Sequence, residues 1–108
     1  MLNKSVTASV IPAPDVRGIY DYVSGTGNSA TWMRTDNAYY IQYTGMYWII
    51  SIPGPYPALF TGTGSGLSPT GNGTYNPTSP HTGNPVVADY AAAVTRQSAL
   101  IGVVSIAV

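Results

Sequence analysis

The sequence holds one histidine, His81, in the stretch TSPHTGNP (78–85), with no carboxylate or cysteine beside it. A histidine working as general base needs a nucleophile in reach and a third group to orient its ring. Asp89 and several serines supply the residue types of a Ser-His-Asp constellation, but nothing in their spacing groups them, so His81 reads as a surface-loop residue. A zinc site takes three or four nitrogen or sulfur ligands, which a single histidine without cysteine does not furnish. Asp15, Asp21, Asp36 and Asp89 stand too far apart for a calcium loop, and no close carboxylate pair suggests glycoside hydrolysis. GTGSG (62–66) has the glycines of a phosphate loop, yet no Lys-Ser/Thr follows and Pro69 interrupts what comes next, which makes it a spacer. The expectation is a protein that is not an enzyme and takes no metal or cofactor.

Trp32, Trp48 and the tyrosines form the remaining chemical group. Rings in a strand pair are most often core or interface, although a sugar-stacking platform would use the same types if Tyr20, Tyr22, Tyr40 and Tyr47 faced outward. A carbohydrate-binding surface module is therefore the alternative of another class, with a glycan as its partner.

The elements that must position these rings are strands. AYYIQYTGMYWIIS (38–51) folds onto itself about Thr44-Gly45, which places Tyr39 opposite Ile50, Ile41 opposite Trp48 and Tyr43 opposite Met46 on one apolar side. The second side carries Tyr40, Gln42, Tyr47, Ile49 and Ser51 and is itself aromatic, so it needs a cover. RGIYDYV (17–23) alternates with period two, and ATWMRT (30–35) is a further strand. Between it and residue 38, a two-residue loop would put Arg34 opposite Tyr39 on the core side. A loop of Thr35-Asp36-Asn37 pairs Met33 with Tyr39 instead and suits the apolar pattern. Every proline beyond Pro14 falls in 53–85, which reads as one long Pro/Gly-rich loop anchored by Tyr56, Phe60 and Tyr75, with ALFT (58–61) its only patterned piece. NPVVADYAAAVTRQ (84–97) offers Asn84 as N-cap and Pro85 at the first helical position, hence one short helix near 85–96, with a strand as the alternative. SALIGVVSIAV (98–108) is β-branched and apolar and would close the sheet. Pro12 and Pro14 favour an extended N-terminal arm over 1–16, from which Val6, Val10 and Ile11 could dock. The fold class expected is mainly β: a small antiparallel meander or barrel-like sheet over 17–108, as a single domain.

Composition sets the partners. Charged residues make up 7% of the chain, with four cations, four aspartates, no glutamate and zero formal net charge; an ordinary domain has about 25%. Scattered Lys4, Arg17, Arg34 and Arg96 build no basic stripe, so nucleic acid is not an expected partner. ALIGVVSIAV (99–108) is ten residues long, about half of what spans a bilayer, so a membrane is not expected either. Met1-Leu2-Asn3-Lys4 leads into no apolar signal region, which fits synthesis in a cytoplasm without a secretion signal. A near-neutral surface of hydroxyls and rings suits either a free domain or a subunit packed among copies and neighbours, and the aromatic surface favours the second.

The stretch TRQSALIGVVSIAV (95–108) resembles the C-terminal end of lambda-type phage head decoration (cement) proteins: Arg96, Ser98-Ala99, Leu100, Gly102 and Ser105-Ile106 follow that outline. The missing cysteines, the Pro-containing arm and the overall size are also similar, whereas the tyrosine content is higher and the charge lower than in that family. The block GIYDYV…YYIQYTGMYWIIS resembles the small Gly/Tyr-rich β modules of phage structural proteins. The resemblance implies a non-enzymatic, mostly β virion structural protein, a capsid decoration subunit at the particle surface. It would assemble as a trimer and hold the major capsid protein or another virion subunit. Interface residues on this reading are Val6, Val10, Ile11, Tyr40, Tyr47, Ile49, Tyr56 and Phe60. A tail, fibre or filament subunit is the nearest alternative.

Overall fold

A computed structural model of the chain describes residues 2–54, 57–63 and 66–90. Its strands are β1 (Asn3–Thr7), β2 (Gly18–Ser24), β3 (Thr31–Arg34), β4 (Tyr40–Tyr43), β5 (Trp48–Ser51), β6 (Ala58–Thr61), β7 (Asn76–Pro77) and β8 (Val86–Tyr90). They form one antiparallel eight-stranded sheet in the order β7-β6-β5-β4-β3-β2-β1-β8. The first seven strands are a plain meander, and β8 returns to pair with β1. The sheet curls into a half-barrel, and the connection before β7 reaches the start of β8 through an isolated bridge between Thr74 and Val86. Such curling lets one face wrap a core while the other meets solvent, so the inward positions recur with period two.

Those inward positions are the rings and branched chains that the alternation marks. Tyr20, Trp32, Ile41, Trp48, Ile50 and Phe60 are buried, joined by Val6 of β1, Val87 of β8 and Val16 and Tyr75 from connections. Cross-strand neighbours hold the rings in a row: Tyr22–Trp32, Trp32–Trp48 and Trp48–Tyr43 centroids lie 6.1, 6.0 and 5.2 Å apart. A buried tryptophan removes roughly 200 Å² from water, worth about 5 kcal/mol at ~25 cal/mol per Å². Polar atoms carried inward find partners. Tyr20 OH donates to Val16 O at 2.7 Å, Tyr75 OH to Pro69 O at 2.6 Å, and Trp48 Nε1 to Gly66 O at 2.8 Å. Lys4 also points inward, ion-paired with Asp89 directly opposite on β8 and with Nζ 4.8 Å from the Trp32 ring centroid.

The mainly β, barrel-like expectation describes this chain, and several finer expectations do not. The central hairpin pairs Tyr43 with Trp48 and Ile41 with Ile50, two residues off the expected register, because the turn is wider and runs over 44–47. Thr44 holds it: Oγ1 accepts from the Met46 and Tyr47 N–H groups, both at 3.3 Å. An even shift keeps the paired side chains on their expected faces, but Met46, expected inward opposite Tyr43, falls in the widened turn and is exposed. The β3–β4 register is corrected by one residue, which does exchange faces: Met33 lies opposite Tyr40, and Arg34 N–H donates to Tyr39 O at 2.9 Å. The charge is tolerated there because Asp36 takes two bonds from the guanidinium, at 2.8 and 2.7 Å. Asp15 O and Arg17 O accept from Arg34 Nη1, and the guanidinium carbon sits 4.5 Å from the Tyr39 ring centroid. Asn37 makes the turn with φ 62°, a left-handed conformation that asparagine tolerates better than most residues.

Three elements were placed wrongly by the sequence alone. The N-terminal arm is no arm over its first part: Asn3–Thr7 is a strand with neighbours on both sides. Residues 53–85 are not one loop, since β6 and β7 lie within them. The short helix near 85–96 is replaced over Val86–Tyr90 by β8, as the strand alternative has it; there the β-branched Val87 is buried opposite Val6, a pairing that suits a strand. Residues 91–96, like the expected closing strand over 98–108, lie outside the described residues.

Candidate interaction surface

In an antiparallel sheet the connections gather at two ends. At the end where β8 finishes lie Leu2, Val23, Met46, Tyr47 and Leu67, all large, apolar and exposed. Met46 and Leu67 expose 65% and 73% of their surface, held out by the wide turn over 44–47 and by the connection from β6 to β7. At the opposite end Val10, Ile11 and Ile52 are exposed. Val10 and Ile11 ride on the connection between β1 and β2, which is pinned rather than loose: Ala13 and Thr82 exchange backbone hydrogen bonds of 2.9 and 3.0 Å. Gly83, at φ +104°, lets that second connection approach so closely that a Cβ would lie 2.7 Å from Pro12 Cα.

The expected interface residues divide accordingly. Val10, Ile11 and Tyr47 are exposed and Tyr40 is half-buried. Val6 and Phe60 are core side chains instead, facing inward from β1 and β6, and Ile49 is only 4% exposed within a single chain. The outer face around Ile49 and Ser51 is partly covered by the chain itself. Gln42 Nε2 donates to Ser51 Oγ at 2.8 Å and to Gly54 O at 3.4 Å, so the connection that follows β5 folds back towards it. Tyr56 lies outside the described residues. Of the tyrosines that a sugar platform would need outward, Tyr20 is buried and Tyr22 turns inward against Trp32. Met46, expected on the core side opposite Tyr43, is exposed instead; Leu67, Leu2, Val23 and Ile52 carry no sequence signal that marks them as contact residues.

The sheet edges matter as much as side chains, because an unpaired strand edge is itself a binding surface. β7 is two residues long and ends in proline. β8 is five residues long. Among the described residues, β8 meets a neighbour on its second side only through the Thr74–Val86 bridge and the Tyr75 N–H to Pro85 O bond of 2.7 Å.

Charge does little on this surface. Arg17 Nε and Nη2 hold both Asp15 oxygens at 2.8 and 2.9 Å, and this pair rims a shallow open cleft of about 360 Å³ lined by Val6, Thr7, Ala8 and Gly18. The Arg17 hydrogen bonds lower the Asp15 carboxyl to about 2, and those of Arg34 lower Asp36 to about 2. Each charge in the cleft is thus already answered by its neighbour. His81 is half-buried, its ring centroid 6.4 Å from that of Phe60. No group of three His, Cys, Asp or Glu able to hold a metal occurs among the described residues, and no described helix is long and apolar enough to cross a membrane.

No family model, no curated protein and no solved structure matches this chain.

Proposed function

We propose that this protein is a structural subunit that works by assembling, and within that class a virion decoration or cement subunit. It joins copies of itself, as a trimer, and contacts a major capsid protein at the particle surface. The observation that supports the reading is a pairing of opposites: large apolar side chains stand exposed at both ends of the sheet, while charged residues make up 7% of the chain. A lone soluble domain keeps such side chains few and surrounds them with charge, whereas obligate interfaces resemble a core cut in half. The virion setting rests on the resemblance of residues 95–108 to decoration proteins, and Val10, Ile11, Met46 and Tyr47 are the contacts it would use.

A tail, fibre or filament subunit is the second reading, favoured by the β8 edge. Contact between this edge and a different segment of the next copy is head-to-tail, and it runs open unless the rotation closes. Light scattering on the purified protein over a wide concentration range tests both readings. A discrete trimer supports the decoration subunit and open polymers support the filament. A stable monomer at every concentration overturns the assembly reading.

A further inference from the structure

The geometry points to the second side of β8, which among the described residues is met only at its start, as an acceptor for one strand of a second copy of this chain, namely the apolar run over residues 98–108. The inference deepens the assembly reading and rests on it.

Consider first what the edge lacks. Native edge strands are blunted by shortness, proline, a bulge or an outward charge. Val86–Tyr90 has regular pairing to Asn3–Thr7 through all five of its residues, without a bulge or proline. Its single charge, Asp89, faces Lys4 and is neutralised by it, so it repels nothing that approaches along the edge. The outward-facing positions are Val86, Ala88 and Tyr90, of which Val86 and Ala88 are exposed. An edge of this kind binds an extended segment through its backbone and takes specificity from alternate side chains.

The occupant follows from sequence. SALIGVVSIAV (98–108) places Leu100, Val104, Ile106 and Val108 on one side by period two, with no ionised residue. It is the most strand-prone stretch outside the described residues. To pair with its own β8 it would have to reverse direction within AAAVTRQ (91–97), which contains no Gly, Pro, Asn or Asp. Tight reversals depend on those residues. A run that leaves β8 without turn chemistry is better placed to reach the edge of another copy, giving a head-to-tail contact in which each chain both donates and accepts.

Two full-length variants test this. Ala88→Lys puts an outward charge on the acceptor edge at an exposed position, and Val104→Lys puts one in the donor run. Each alone, folded by circular dichroism and tryptophan emission, is expected to need at least tenfold more protein to assemble than the parent. Mixed, they are expected to form a one-to-one dimer that grows no further, because the intact run of Ala88→Lys meets the intact edge of Val104→Lys. Val86→Lys serves as the acceptor variant if Ala88→Lys does not fold. If both variants assemble like the parent, or if mixing rescues nothing, the strand contact is wrong while the assembly reading stands. A monomeric parent overturns both.

Discussion

The two edges of the sheet were built by opposite means. β7 is short, carries Pro77 opposite Phe60 and is backed by Tyr75, whose ring is fully buried and whose hydroxyl is bound to Pro69 O. Proline offers no N–H, so a strand arriving at that position finds no donor there. β8 has no such device, and its inner side chains are one valine and one aspartate held by Lys4. The lesson is that availability differs between the edges: β7 is short and ends in proline, whereas β8 is fully paired to β1 and, among the described residues, its second side is met only at its start. A protein that lived alone would have reason to blunt both.

The largest effect that could break this contrast comes from emptying the core beneath each edge. Phe60→Ala is expected to cost about 3 to 5 kcal/mol, since a fully enclosed ring leaves a cavity that neighbours only partly fill. Val87→Ala should cost about 1 to 2 kcal/mol, having fewer atoms to lose. Urea unfolding of the two variants measures the difference. Equal losses would mean that the core beneath β8 is as demanding as the core at Phe60 of β6, the strand that carries β7.

A smaller effect sharpens the same point through Tyr75. Burial pushes its phenol, and that of Tyr20, well above the ordinary value near 10. The unfolded chain therefore ionises first as pH rises, and stability is whole below about 10 and lost progressively above it. Tyr75→Phe leaves Pro69 O without its donor, an expected loss of about 1 to 2 kcal/mol at neutral pH. It should also make the alkaline decline shallower, read from urea midpoints between pH 9 and pH 11, spanning roughly a unit either side of that value. An unchanged alkaline slope would detach Tyr75 from the anchoring of β7.

Much of this was legible beforehand, for reasons that particular residues make plain. Alternation alone identified the strands around Tyr20, Trp32, Ile41 and Trp48, because a core face imposes period two and a turn widened by two residues does not disturb it. The face of Arg34 was misjudged. Its guanidinium is satisfied by Asp36, by two backbone carbonyls and by the Tyr39 ring, and partners so scattered along the chain leave no local signature. The β8 strand was hidden by Asn84-Pro85, a good helix start in isolation that tertiary pairing with β1 overrides. Sequence alone offers Val6, Phe60 and Ile49 as contact residues, because which side of a curled sheet is enclosed depends on long-range pairing. The β8 edge carries no sequence signal at all, since an edge is defined by the neighbour that a strand lacks among the described residues.

The smallest expected effect concerns charges that belong to neither edge, and it separates folding from assembly. Asp15 and Asp36 are held at about 2 against an ordinary 3.8, chiefly by hydrogen bonds from Arg17 and Arg34. A carboxyl whose folded value is depressed contributes in full above about pH 4, and that contribution disappears as the pH falls towards about 2. Both side chains are well exposed, so water and salt weaken the gain, and the change in urea midpoint should be smaller than that of Tyr75→Phe. Asp36→Asn is expected to remove part of this acid dependence while leaving the concentration dependence of assembly where it was, because Asp36 sits in the β3–β4 turn and touches neither β7 nor β8. Should Asp36→Asn shift assembly as strongly as Ala88→Lys, subunit contacts would run through the end of the sheet that carries the β3–β4 turn, and the β8 edge would lose its claim to be the acceptor.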